Sequence, residues 1–301
     1  MKFFPQKRTK FNPFFLTHLC VYFSLMAAFY NSLIGVISKL LSSEMSSFEI
    51  VFFRNFFGLI IVIWVLFKQR DCNFFSGGHL GFLIFRGVIG LCGMSAFFYN
   101  IANTDLGTAF SLYKTAPVWT ALIAAYFFGE KLSNLAWFAI ILGFVGFAMI
   151  VQPQFGIKTT DIVGIVGGLC SGLALVSVHE LRKYYSANTI VLSYMLSGSV
   201  IMGLVLLLGE FDITPVKFVF PSAKGWLYMG LIAVGGYLFQ LYLTKSYAAT
   251  RKAGIPAAIG YTEILFSLVL GLLLGDKLPN LLGLCGICVI IISGILIAKE
   301  K

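Results

Sequence analysis

Charge is the scarcest commodity in this sequence. Asp, Glu, Lys and Arg make up 11% of 301 residues, and apolar types make up 59%. Ordinary soluble domains run at about half apolar and about one quarter charged. The shortage excludes a soluble globular domain. Acidic residues are scarcer than basic ones, 12 against 22, which leaves a net charge of +10. That excess does not imply nucleic acid, because the basic residues collect in short loops between apolar runs, as membrane orientation requires. Histidine is nearly absent: His18, His79 and His179 fall near the edges of apolar runs and form no cluster. Of the six cysteines, only Cys72 lies outside an apolar run; Cys20, Cys92, Cys170, Cys285 and Cys288 read as small hydrophobes. Cys285 and Cys288 form a CxxC, but no second ligand pair or histidine completes a metal site. No metal and no other cofactor is expected. No Asp-rich or His-rich set occurs of the kind an intramembrane enzyme needs, so no enzyme is expected. Rings of like charge and a filter-like run, which would mark a channel, are missing too.

What the chain has instead is long apolar runs. A helix needs about 20 apolar residues to cross the hydrocarbon layer. On that rule the sequence predicts an all-α integral membrane protein with ten spans: 16–38, 47–67, 80–102, 106–128, 134–151, 162–181, 188–208, 225–248, 253–274 and 281–298. The run from Phe14 to Ile37 is too long for a signal-peptide core and lacks a small-x-small cleavage site, so it reads as a retained first helix. Lys39, Lys158, Lys217, Lys224 and Lys277 fall in the loops of one side, and Arg54, Arg86, Lys114 and Lys245 fall within spans. All other Lys and Arg lie on the opposite side, which puts both termini in the cytoplasm.

The chain also repeats itself. Gly129-Glu130-Lys131-Leu132-Ser133-Asn134 returns as Gly275-Asp276-Lys277-Leu278-Pro279-Asn280, 146 residues later. At the same offset Ala102 matches Ala248 and Thr104 matches Thr250. The organisation read from this is a cytoplasmic tail (1–15), a first five-helix repeat (16–151), a linker (152–161), a second repeat (162–298) and a short cytoplasmic tail (299–301). Five spans is an odd number, so the second repeat inserts upside down. Inverted repeats are the architecture of many secondary transporters, whose substrate sits near the midplane between the repeats. Gly164, Gly168 and Gly172 recur every fourth position in the sixth span, which allows a neighbouring helix to approach closely.

Charge within the spans points to a site. A charge at the bilayer centre costs about 2.5–3.5 kcal/mol on insertion scales, so such residues face a cavity or a partner. Lys114 and Glu263 each lie roughly 12–15 Å deep in spans four and nine, near the midplane. The repeat offset maps Lys114 onto Gly260 and Pro117 onto Glu263, which puts the two charges on equivalent helix faces about one turn apart. Pro117 blocks the hydrogen bond to the Tyr113 carbonyl and so leaves an acceptor beside Lys114. Arg54 is too deep to reach the surface and needs a partner on another helix. Arg86 and Lys245 lie within two turns of the cytoplasmic edge, where long stems can snorkel. Tyr99, Tyr113, Trp119, Tyr237 and Tyr261 lie near the charged layer and are candidates to stack on a ring-bearing or cationic ligand.

Taken together these features resemble the EamA-type branch of the drug/metabolite transporter superfamily. The likeness rests on the two Gly-Glu/Asp-Lys-Leu turns, Ser47-Phe48-Glu49-Ile50-Val51-Phe52-Phe53-Arg54, Phe85-Arg86-Gly87, Tyr261-Thr262-Glu263-Ile264 and the run from Gly164. It implies ten helices in a 5+5 inverted repeat and a cavity lined by spans 1, 3, 4, 6, 8 and 9. Arg54 would then be a structural lock outside that lining. Within the branch, the Phe48-Glu49 to Phe53-Arg54 run is most similar to carriers of S-adenosylmethionine or riboflavin; amino-acid carriers and broad-specificity drug or metabolite exporters share the fold. The expectation is a secondary carrier of a small zwitterionic or amphipathic metabolite in a bacterial inner membrane, coupled to protons or working by exchange. Its partners would be that small molecule and membrane lipid. Nothing in the sequence sets an oligomeric state.

Overall fold

The computed structural model describes residues 13–69, 77–128, 133–152, 156–181, 184–214, 216, 218–248 and 259–300. Among the described residues all regular structure is helical. The helices are α1 (Pro13–Leu41), α2 (Ser47–Gln69), α3 (Leu80–Asn103), α4 (Leu106–Tyr113), α5 (Ala116–Phe128), α6 (Asn134–Val151), α7 (Thr159–Leu181), α8 (Ala187–Glu210), α9 (Ala223–Ala248), α10 (Thr262–Leu273) and α11 (Leu281–Glu300). Apolar runs in lipid become helices because a helix satisfies its own backbone hydrogen bonds where no water is available. Serines in the loops start four of them: Ser46 accepts from Glu49 N ahead of α2, Ser133 from Ala136 N ahead of α6, Ser186 from Thr189 N ahead of α8 and Ser222 from Gly225 N ahead of α9.

Among the described residues seven helices are long and apolar enough to cross a membrane, and two shorter apolar ones, Thr262–Leu273 and Leu281–Ile297, accompany them. The surface supports the same placement. Large apolar side chains such as Ile60, Trp64, Phe138, Ile141, Val200 and Leu204 are exposed, while Asn31, Arg54, Asn55, Asn100 and Glu263 are buried. That pattern reverses a soluble protein's burial and fits a lipid surround.

Helices of the two halves interleave. α3 packs on α7 as α9 packs on α1; α5 packs on α7 as α10 packs on α1; α3 packs on α8 as α9 packs on α2. α2 pairs with α8, and α6 with α11. Exchanging each helix for its counterpart in the other half leaves this set of contacts unchanged.

The fourth span departs from expectation. The sequence reads as one helix over 106–128, but the chain breaks at Lys114-Thr115. Thr115 N and Oγ1 both bond to Leu112 O, at 3.2 and 2.7 Å, which tightens the end of α4. Val118 N and Trp119 N then bond to Thr115 O and start α5. Pro117 thus falls in the first turn of α5, where a missing N–H costs little. The second half shows the same break. Residues 259 and 260 are helical, Tyr261 turns, and α10 starts at Thr262. Ile264 N bonds to Tyr261 O at 3.0 Å, which is the Val118–Thr115 bond displaced by the repeat offset. The earlier part of the ninth span, with Pro256, lies outside the described residues, as does the Glu130-Lys131 turn.

The glycine stripe of α7 explains how the first break is accommodated. A Cβ at Gly168 would lie 2.4 Å from Thr115 Oγ1, and one at Gly172 would lie 2.7 Å from Trp119 Cβ. α7 therefore lies directly on the broken helix, and only glycine lets it do so.

Candidate functional site

The two breaks bring Lys114 and Glu263 together. Lys114 Nζ lies 3.0 Å from Glu263 Oε1. The other carboxylate oxygen, Oε2, accepts from Asn31 Nδ2 of α1 at 2.7 Å. Ser32, next on α1, donates to the Glu263 carbonyl at 3.1 Å and so ties the first turn of α10 to the same helix. Tyr261 OH donates to the Lys114 carbonyl at 3.3 Å, which fills an acceptor freed by the break. The freed acceptor beside Lys114 is therefore its own carbonyl, one residue beyond the Tyr113 carbonyl that Pro117 leaves unbonded by sequence. The Glu263 side chain is 4% exposed and that of Lys114 17%. Both carboxylate oxygens are satisfied from within. The ammonium has three donors, and Glu263 takes one. Gly260 faces the ammonium: a Cβ there would stand 3.6 Å from Nζ, with no other described residue within 4 Å.

The aromatic candidates divide. Tyr113 is half-buried, packs on the Phe97 ring at 4.4 Å, and lies within electrostatic range of Glu263, Tyr194, Arg54 and Arg86. Tyr261 is 2% exposed, and its ring lies over Gly294 of α11, so it closes the break rather than walling a cavity. Trp119 turns towards α6 and α7. It stands edge-on to Phe144 at 5.2 Å and lines a 260 Å³ apolar pocket with Thr115, Val118, Gly143, Phe144, Phe147 and Ile165. Tyr99 and Tyr237 are half-buried and make no hydrogen bond to the ionic pair among the described residues.

The arginines differ from one another. Arg54 is 3% exposed, and its Nη1 donates to Tyr194 OH of α8 at 3.0 Å, a partner on another helix. Arg86 does not snorkel to the membrane edge. Its Nε and Nη1 are buried, and its guanidinium lies 5.3 Å from the Tyr194 ring centroid. The reason is Gly90, one turn deeper, where a Cβ would stand 2.2 Å from Arg86 Nη1. The bare backbone lets the side chain fold inwards. Lys245 does stay exposed, over the rings of Phe23 and Tyr242.

Sequence reasoning missed Asn31, Tyr194 and the Tyr30–Tyr242 pair, which stacks at 5.7 Å with an 8° interplanar angle. A signal existed for Asn31: an amide inside an apolar run carries the same warning as a charge, at lower strength.

The model of the EamA-like transporter family matches this chain twice, over residues 18–152 and 158–299. The chain belongs to the EamA-like transporter family. It is an integral membrane protein of the drug/metabolite transporter superfamily, and its relatives are named as transporters. An uncharacterized transporter of Helicobacter pylori is 32% identical over 288 residues, covering 94% of this chain and 92% of the relative. A pseudopaline exporter of Pseudomonas aeruginosa is 26% identical over 283 residues, 93% and 96% of the two chains. An S-adenosylmethionine uptake transporter of Rickettsia conorii is 22% identical over 268 residues, 89% and 88%. A solved crystal structure shares the fold with a TM-score of 0.60 at 16% identity, covering 92% of this chain and 97% of the other.

Proposed function

We propose that this EamA-like chain is a secondary carrier of a small zwitterionic metabolite, with Lys114 and Glu263 as its substrate site. The supporting observation is the pairing of Lys114 with the buried Glu263 at the meeting of two broken helices. Discontinuous helices at the midplane are where secondary transporters hold their cargo. In the empty site the two charges neutralise each other. A zwitterion can replace that pair with two new ones: its carboxylate takes Lys114 and its amine takes Glu263, which Asn31 holds in place. Desolvation of the pair's charges is then compensated in both states.

The architecture we infer is ten crossings in two inverted five-helix repeats, with one half rocking against the other to open the site to each side in turn. The membrane is the bacterial cytoplasmic membrane, with both termini inside. The relatives named for pseudopaline export and S-adenosylmethionine uptake make those two compounds the first to test, followed by riboflavin and amino acids. Glu263 is also the candidate carrier of a coupling proton. A second reading, a broad-specificity drug or metabolite exporter, is favoured by the apolar pocket under Trp119, which offers volume without polar selectivity.

Proteoliposomes loaded with unlabelled candidate and given labelled candidate outside test the site. The expected result is saturable counterflow that Glu263→Gln and Lys114→Ala each reduce at least tenfold, with Glu263→Gln also losing its response to an imposed pH gradient. Normal counterflow in both variants would remove the pair from the substrate site.

A further inference from the structure

We infer a second, oxyanion-binding site between Arg54 of α2 and Arg86 of α3, which takes a carboxylate or phosphate group of the cargo. The inference rests on the carrier reading only for the source of that anion. The observations are independent of it. Two guanidinium groups flank one tyrosine: Arg54 Cζ lies 5.9 Å and Arg86 Cζ 5.3 Å from the Tyr194 ring centroid. Arg54 Cζ also lies 5.9 Å from the Phe98 ring.

Arginine stays charged whatever its surroundings, so both groups are cations inside the helical bundle. Among the described residues neither is paired with a carboxylate. The ion pairs among the described residues are Lys39–Asp276 and Lys114–Glu263. Among the described residues the Arg54 guanidinium donates to Tyr194 OH. Arg54 Nε, Arg86 Nε and Arg86 Nη1 are buried without a hydrogen-bond partner. A buried charge without partners is among the costliest arrangements a fold can hold, and an oxyanion that accepts from two guanidinium forks removes that cost.

Three further features fit an occupant. Gly90 lets Arg86 fold inwards instead of towards the aqueous edge. Gly236 of α9 faces Arg54 without a side chain; a Cβ there would stand 3.7 Å from Nε and 3.9 Å from Nη2. Tyr113, which directly precedes Lys114 at the first site, packs on the Phe97 ring at 4.4 Å, and the neighbouring Phe98 ring faces Arg54. A cargo with an ammonium at Glu263 and a distal carboxylate or phosphate at the arginines spans the two. Dianionic or amino-acid-bearing metabolites meet that requirement; a simple cationic drug does not. Arg54 is buried in this state and Arg86 half-buried, so the anion enters when the surrounding helices part.

The test is binding, measured without transport, so that its failure is distinct from that of the carrier reading. Purified, delipidated protein in neutral detergent is titrated with succinate and with inorganic phosphate, with neutral succinamide as control, and Tm is followed. Saturable stabilisation by at least one of the two anions and none by succinamide is expected. Arg86→Lys keeps the charge but loses the fork, and should raise the half-saturating concentration at least tenfold. Gly236→Asp places a carboxylate beside Arg54 and should abolish the response with Tm at or above that of the parent, which keeps the test decisive if Arg86→Lys does not fold. The proposal is overturned if the parent shows no saturable response to either anion, if phosphatidylglycerol stabilises the protein while both soluble anions do nothing, or if Gly236→Asp responds like the parent.

Discussion

Glu263 is held from several sides. Its two oxygens are held from two helices, by Lys114 and by Asn31, and its backbone carbonyl by Ser32. A hydrogen bond to a charged group is worth about 1.5–3 kcal/mol, and an orphaned carboxylate oxygen costs more. Asn31→Leu should therefore lower the stability of the purified protein by about 2 kcal/mol, read as a fall in Tm, and slow transport at least tenfold. Asn31→Asp should be worse, since it sets two carboxylates against one lysine. Tyr261→Phe removes only the hydroxyl from the Lys114 carbonyl, a neutral bond worth about 1 kcal/mol. It should lower Tm slightly and leave the half-saturating substrate concentration unchanged. At this scale the sequence marked Lys114 and Glu263 because a charge deep in an apolar run has few alternatives to a partner. It did not mark Asn31, whose amide is cheap enough to occur for packing reasons alone. Arg86 misled because its height above the membrane edge permits snorkelling. Its direction depends on Gly90, and nothing in the residue type of Arg86 reveals that.

The helix pair α4–α5 is the element on which the site depends. Its break was partly legible: Pro117 announces a fault near Lys114. The position of the break was not, because Thr115 sets it by bonding to Leu112 O, and a threonine in an apolar run usually signals nothing. α7 supports the break through its glycine stripe. Gly168→Val would press a branched side chain into Thr115 and Trp119, and overpacking of this kind costs about 1–3 kcal/mol or more. The expected outcome is reduced yield and a lower Tm, with any surviving protein losing transport because the break is displaced. The same substitution at Gly230, where a Cβ meets nothing within 4 Å, should be tolerated and serves as the control.

At the scale of the whole molecule, the reciprocal packing of α3 on α7 and α9 on α1 means that neither half has a core of its own. The 146-residue echo in the sequence foretold two related halves. It could not foretell which helices cross between them, because lipid-facing and partner-facing residues are equally apolar here. Among the polar contacts that join the halves at the end opposite to the predicted cytoplasmic face is a latch at Asp276. Lys39 Nζ pairs with Asp276 and donates to Thr104 O, while Asp276 Oδ2 accepts from Leu106 N at the start of α4. Asp276→Asn keeps an acceptor for Leu106 but discharges the latch. The carrier account predicts that this substitution shifts the population towards the outward-open state, with the substrate site more reachable from outside.

The central claim is that Lys114 and Glu263 lie in a hollow that opens to either side of the membrane. Gly260 offers the closest probe, since it faces the lysine ammonium with room for a side chain. Gly260→Cys, in a chain whose six native cysteines are replaced by alanine, is labelled with a membrane-impermeant maleimide from the cytoplasmic side and, separately, from the outside. The account predicts labelling from both sides, slowed by saturating substrate. Labelling from neither side, or labelling that substrate leaves unchanged, would contradict it.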